Sequence, residues 1–226
     1  MLETEGYQDR AHAGKQLAHA LRQYAGHDQP IVLGLPRGGV PVAFEVASAL
    51  DAELDIMVVR KLGLPGHEEY AMGAVGSGGV CVLRAGVPGL FGVTQAQVDR
   101  TMARELAELA RRELRYRGSR PPPLLDGRCV ILVDDGIATG ASMLAAVQMV
   151  RQHPVARLVV AAPVGAPDSV RRLEQEADAV VCPLAPPRFH AVGQYYRVFG
   201  QTDDDEVQDL LAKAWARPGR DGKHDT

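Results

Sequence analysis

The chain is short of several things, and each shortage excludes something. It has only 3 cysteines in 226 residues. They stand far apart, at Cys81, Cys129 and Cys182, with no C-x-x-C pair. Neither a disulfide framework nor a structural zinc site is therefore expected. Cys129 and Cys182 lie in apolar runs and read as small buried hydrophobes of a reducing compartment. No run of roughly 18 apolar residues occurs, so no membrane span is expected. The opening residues, MLETEG, are acidic and carry no apolar stretch, so no signal peptide is read there and a cytoplasmic location is expected. Positive charge is not in excess. The formal net charge is −3, and the strongly basic domain that nucleic acid asks for is missing. Internal repeats and low-complexity segments are absent too.

What is present suits one α/β core. The chain is 46% hydrophobic and 23% charged, the balance of an ordinary globular domain that needs no disulfides to hold it. Residues 1–216 read as a single domain and 217–226 as a flexible polar tail. Residues 8–24 repeat Leu17, Leu21 and Tyr24 at helical spacing. The run Ile31 to Leu35 is a short apolar strand, followed by a Gly-rich turn, an alanine-rich helix over 40–50 and a strand over 54–59. Strand, turn, helix, strand is a parallel βαβ unit. Residues 60–92 are dense in glycine and proline and read as a long loop, with a short hairpin around 78–83. A loop of that length in a compact domain is usually functional or disordered.

A long helix is expected over 94–117, with Thr94 as its N-cap and Val98, Met102, Leu106 and Leu109 as its apolar stripe. Its basic end (Arg111, Arg112, Arg115, Arg117) suits the helix dipole and reads as solvated rather than as a nucleic-acid patch. Residues 128–133 are a continuous apolar run, the mark of a strand buried on both faces. Further helices are expected at 142–152, 168–176 and 204–215, with strands at 158–162 and 179–182.

The chemistry concentrates in residues 130–142, VILVDDGIATGAS. Two acids, Asp134 and Asp135, stand at the end of the buried strand. Gly136 and Gly140 then let successive amides converge at the start of a helix, which makes an anion cradle. Thr139 and Ser142 add hydroxyls. A P-loop needs Lys where this chain has Ala141, and a dinucleotide fold needs G-x-G-x-x-G, which is missing after this strand. Neither explains the paired acids. Carboxylates accept hydrogen bonds from hydroxyls, so a sugar diol is their natural partner.

The segment closely resembles the phosphoribosyl pyrophosphate (PRPP) motif of type I phosphoribosyltransferases. The resemblance implies a parallel twisted sheet flanked by helices, with a small hood lobe. It implies that Asp134 and Asp135 hold the ribose 2′ and 3′ hydroxyls. Gly136 and the loop Ala138, Thr139, Gly140, Ala141 and Ser142 would hold the 5′-phosphate. Residues 34–41, GLPRGGVP, look like the family's pyrophosphate loop, with Pro36, Arg37, Gly38 and Gly39 facing the leaving diphosphate. The pair Arg60-Lys61 ends the next strand, and Lys61 is the better candidate to reach diphosphate. In the family a mobile loop closes over the substrates, which fits 60–92; the helix 94–117 reads as an insertion. The segments VRKLG, AMGAV and AVGQYY are similar to those of a smaller phosphoribosyltransferase-like group.

The implied reaction moves the 5-phosphoribosyl group from PRPP to a nitrogenous acceptor and releases diphosphate. Mg2+ would be held mainly through PRPP, with Asp134 and Asp135 as further contacts. A non-catalytic PRPP- or nucleotide-sensing regulator is the alternative, and intact Arg37 and Lys61 favour the enzyme. One departure stands out. Some purine-salvage members carry Asp where this chain has Ala138, which offers no proton acceptor. The hood and the last helix are expected together within 184–216. There Tyr195, Tyr196 and Phe199 are candidates to stack on a planar acceptor, or else form a small core of their own. His67, Glu68 and Glu69 are further candidates for acceptor or metal contact, although a solvated loop face fits each. His190 reads as a surface or core histidine. A homodimer is one assembly open to such a chain.

Overall fold

The computed structural model describes residues 6–26, 29–84 and 86–217. Five parallel strands form the main sheet: β1 (Ile31–Gly34), β2 (Glu53–Ile56), β6 (Cys129–Val133), β7 (Arg157–Ala161) and β8 (Ala179–Val181), in the order β2-β1-β6-β7-β8. A smaller antiparallel sheet is built from β3 (Val59–Leu64), β4 (His67–Gly76) and β5 (Val80–Leu83). The helices are α1 (Arg10–Leu21), α2 (Gly39–Ala49), α3 (Val87–Leu90), α4 (Gln95–Arg117), α5 (Ala141–Val150), α6 (Pro167–Leu173) and α7 (Asp204–Trp215).

Alternation along the strands builds two cores. Val32, Leu54, Ile56, Ile131, Val133 and Val159 face a layer drawn from α1, α2, α4 and α7. Ile31, Leu33, Val130, Leu132, Leu158 and Val160 face Met143, Ala146, Val147 and Val150 of α5 and Leu173 of α6. Successive strand residues point to opposite faces, so a strand between two helical layers must be apolar throughout. That is why β6 is buried at every position.

Chain order matters more than composition for the site. From β1 the chain steps outward to β2, then returns to the other side of β1 as β6. The β1/β6 boundary is therefore the switch point, where the loops leaving two adjacent strands diverge and open a crevice. Leu35 N–H donates to Val133 O at 2.8 Å and keeps those two strand ends side by side.

The segment 60–92 departs from its reading as a loop. Most of it is the antiparallel sheet, with Lys61 opposite Ala74 and Gly73 opposite Leu83. Its apolar residues Leu62, Leu64, Met72 and Val75 are buried in the main core. Glycine spacing hid the strand pattern, yet glycine is what the packing requires. A Cβ on Gly73 would sit 2.3 Å from Val82 O, so a side chain there would push β5 away.

The helix expected at 94–117 forms over Gln95–Arg117. Thr94 caps it, and Gln97 closes the reciprocal box. Its basic end is only partly solvated. Arg117 is buried, donating to Asp55 Oδ1 at 2.7 Å and to Ile56 O at 2.8 Å. That pair ties α4 to the end of β2. Helix α7 packs with the main core through Val207 and Leu211. The residues from 218 onward, which include most of the tail expected to be flexible, lie outside those described.

Candidate active site

Two loops meet at the switch point. One leaves β1 as residues 35–38 and the other leaves β6 as residues 134–140. A Cβ on Gly38 would lie 2.1 Å from Asp135 Oδ2, and one on Gly39 would lie 2.7 Å from Val133 O and 2.9 Å from Asp134 Cα. Only glycine lets the loops come this close. The Pro36–Arg37 peptide of the loop leaving β1 is cis. Sequence segments far apart in the chain thus form one crevice with the acid pair at its floor.

The acids differ in their partners. Asp134 Oδ1 accepts the backbone N–H of Asp135 at 2.8 Å. Burial, and then the neighbouring Asp135 carboxylate, hold Asp134 well above the usual carboxylate range. Asp135 Oδ2 accepts Arg10 Nε at 2.8 Å. Burial raises its carboxyl as well, while the Arg10 guanidinium works against that rise. Asp135 thus stands in an ion pair with Arg10, which offsets part of the pair's negative charge toward an incoming phosphate.

Sequence reasoning missed Arg10. It lies 125 residues from its partner, on α1. It also donates to Gly200 O at 2.6 Å and stands 4.1 Å above the Phe199 ring. One guanidinium thus joins the first helix, the acid pair and the segment after β8. A lone Arg at a helix start gives no sequence signal for this.

The loop expected to hold phosphate turns sharply into a helix. Gly140 is at φ +72°, and α5 begins at Ala141. Ala138, Thr139, Ala141 and Ser142 are exposed at the crevice edge. Thr139 Oγ1 accepts the Ala141 N–H at 3.4 Å. Gly136 meets the hood, where a Cβ would lie 2.5 Å from Val192 Cγ1.

Arg37 is partly exposed and loosely paired, 3.9 Å from Asp204 Oδ1. Asp204 is more firmly engaged elsewhere, accepting Tyr116 OH at 2.6 Å and pairing with Arg115 at 2.8 Å. The two cations of β3 part company. Arg60 is spent on Glu105 of α4, at 2.6 Å through its terminal nitrogen, whereas Lys61 is exposed. His67 is exposed and its ring lies 6.5 Å from Phe91. The side chains of Glu68 and Glu69 lie outside those described. His190 is exposed.

The aromatic candidates also divide. Tyr195 and Tyr196 are buried with Tyr7, Ala13 and Val164 in a third core, and Phe189, Val192 and Leu184 pack against it. Tyr195 OH donates to Arg188 O and Tyr196 OH to Asp135 O, at 3.1 and 2.6 Å. Neither ring is open for stacking on an acceptor, because the hood is too small to be held without them. Tyr196 instead props the backbone of Asp135. Phe199 is 38% exposed and is the aromatic of the three that keeps an open edge.

A parallel sheet flanked by helices, with two glycine-bearing loops and an acid pair at its switch point, is the type I phosphoribosyltransferase fold. The family model described as the phosphoribosyl transferase domain matches residues 4–197, and the chain belongs to that family. A crystal structure of TT1426 from Thermus thermophilus is 48% identical, with a TM-score of 0.82 over 92% of this chain and 98% of that one. Two proteins of Mycobacterium tuberculosis, from strains CDC 1551 and H37Rv, are each provisionally named a phosphoribosyl transferase. Both are 50% identical over 208 residues, 92% of this chain and 47% of theirs. The chain spans about half the length of these curated relatives. Among the described residues no helix is long and apolar enough to cross a membrane.

Proposed function

We propose that this chain transfers the 5-phosphoribosyl group of PRPP to a nitrogenous acceptor and releases diphosphate. The observation that carries the reading is the contact of Gly38 and Gly39 with Asp135 and Asp134. It brings two glycine-bearing loops to either side of the acid pair, an arrangement that supports a phosphate on one side, a diol at the centre and a diphosphate on the other.

In this reading Asp134 and Asp135 accept hydrogen bonds from the ribose hydroxyls, and Arg10 keeps Asp135 in position. The amides and hydroxyls of residues 138–142 hold the 5′-phosphate. The ring gains positive character as the bond at C1′ breaks, as in other glycosyl transfers. Negative charge then grows on the leaving diphosphate, and Arg37 with Lys61 stabilises it. Mg2+ is commonly bound through one or two carboxylates plus substrate phosphates, and Asp134 and Asp135, the carboxylates at the crevice, would supply them here. When bound, Mg2+ would offset charge on the leaving diphosphate.

Ala138 offers no proton acceptor at the crevice, so the acceptor is one that needs no base at that position. Diphosphate release from PRPP and Mg2+ across a panel of nitrogenous bases tests the proposal. Turnover on at least one base is expected, with Asp135→Asn slower by about 10²–10³-fold. PRPP binding without turnover on any base would favour the sensor reading instead. Near-normal turnover in the variant would remove Asp135 from the mechanism.

A further inference from the structure

We propose that Ser169 and Arg172 of α6 are positioning residues for the phosphate loop, holding its carbonyls outward so that its amides face the ligand. The inference rests on the reading of residues 138–142 as a phosphate site.

A cradle made of backbone amides has a directional problem. In a trans peptide the C=O points opposite to the N–H of the next residue. A carbonyl turned inward would therefore repel the phosphate and withdraw an amide at the same time. The chain settles this from behind the loop. Ser169 Oγ donates to Ala138 O at 2.7 Å, which aims the Thr139 N–H the other way. Arg172 donates to Thr139 O at 2.8 Å, which aims the Gly140 N–H. Arg172 also donates to Ser169 Oγ at 3.0 Å, so the two side chains act together.

The brace continues along the loop. Ile137 N–H donates to Val164 O at 2.9 Å, and Ala166 N–H donates to Ile137 O at 2.7 Å. Ser169 is buried directly behind Gly140, where a Cβ on the glycine would meet Ser169 Cβ at 3.3 Å. Arg172 is exposed, so its size and charge serve no core. What it contacts is the loop carbonyl and the serine that holds the neighbouring carbonyl.

The test is calorimetric titration of the full chain with ribose 5-phosphate, alongside its unliganded thermal midpoint. Arg172→Met and Ser169→Ala should each weaken binding by about five- to tenfold, the worth of one such hydrogen bond. Arg172 is exposed, so Arg172→Met should lower the unliganded midpoint by no more than about 2–4 °C. Ser169→Ala removes a carbonyl-holding hydroxyl without changing charge, so it separates amide direction from charge. If Arg172→Met weakens binding and Ser169→Ala does not, charge rather than amide direction is at work and the proposal fails. Variants that bind like the native chain would overturn this inference alone. A native chain that does not bind ribose 5-phosphate would overturn the phosphate-site reading, and this inference with it.

Discussion

Gly38→Ala puts the geometry of the crevice to work as a prediction. Gly38 has φ −61° and ψ −29°, a helical conformation that alanine adopts without strain. In open space such a change would stabilise the fold by about 0.4–1 kcal/mol, through the unfolded chain. Here the new Cβ would stand 2.1 Å from Asp135 Oδ2 and 3.3 Å from Arg10 Nε. The carboxylate must retreat by about 1.3 Å to reach ordinary contact distance. That movement breaks the 2.8 Å bond to Arg10. A hydrogen bond to a charged group is worth about 1.5–3 kcal/mol, so the net effect is a loss of about 1–2 kcal/mol in stability. The effect on function should be larger, since a misplacement of about 1 Å in a reacting geometry can cost about 100-fold. Calorimetric titration with PRPP and Mg2+ measures affinity, and diphosphate release measures rate. Gly89→Ala is the control, because a Cβ there meets nothing within 4 Å. Native PRPP affinity in Gly38→Ala would refute the claim that the two loops and the acid pair form one site.

Two other outcomes follow from the packing of α4 and α7. Arg117→Met removes the partner of buried Asp55, whose other oxygen already has no hydrogen-bond partner among the described atoms. Burial raises the Asp55 carboxyl and Arg117 holds that rise in check. Denaturant unfolding should show a loss of about 3–5 kcal/mol, with Asp55→Asn in the same chain recovering part of it. Asp204 has the opposite sign. The Tyr116 hydroxyl and the Arg115 and Arg37 guanidinium groups hold its carboxyl below the ordinary 3.8. Its contribution is full above that value and is lost as pH falls through the depressed one. The stability gap between the native chain and Asp204→Asn should therefore be present at neutral pH and close below about pH 4. Trp215, the chain's single tryptophan, lies on α7 and reports the unfolding by fluorescence.

The sequence makes the main sheet and the acid pair legible for physical reasons. A strand covered on both faces has to be a run such as Cys129–Val133, and a tight phosphate turn has to carry glycine. Short-range signals also name the long helix, because Thr94 caps it locally and Val98, Met102, Leu106 and Leu109 recur at helical spacing. What stays hidden depends on distant partners. Arg10 gains its meaning from Asp135, Arg60 loses its availability to Glu105, and Ser169 matters through a carbonyl 31 residues away. Tyr195 and Tyr196 look like stacking rings in sequence because a small hood core and a binding face use the same residues. Only their burial against Tyr7 and Val164 separates the two uses. The antiparallel sheet stays hidden because its glycines, needed for close strand approach, imitate a loop.

The most direct test of the donor site is a crystal structure of the chain with PRPP and Mg2+. The account predicts the ribose hydroxyls within hydrogen-bonding distance of Asp134 and Asp135, the 5′-phosphate among the amides of residues 138–142, and the diphosphate beside Arg37. A 5′-phosphate seated away from residues 138–142, or a ribose that leaves both acids untouched, would contradict it.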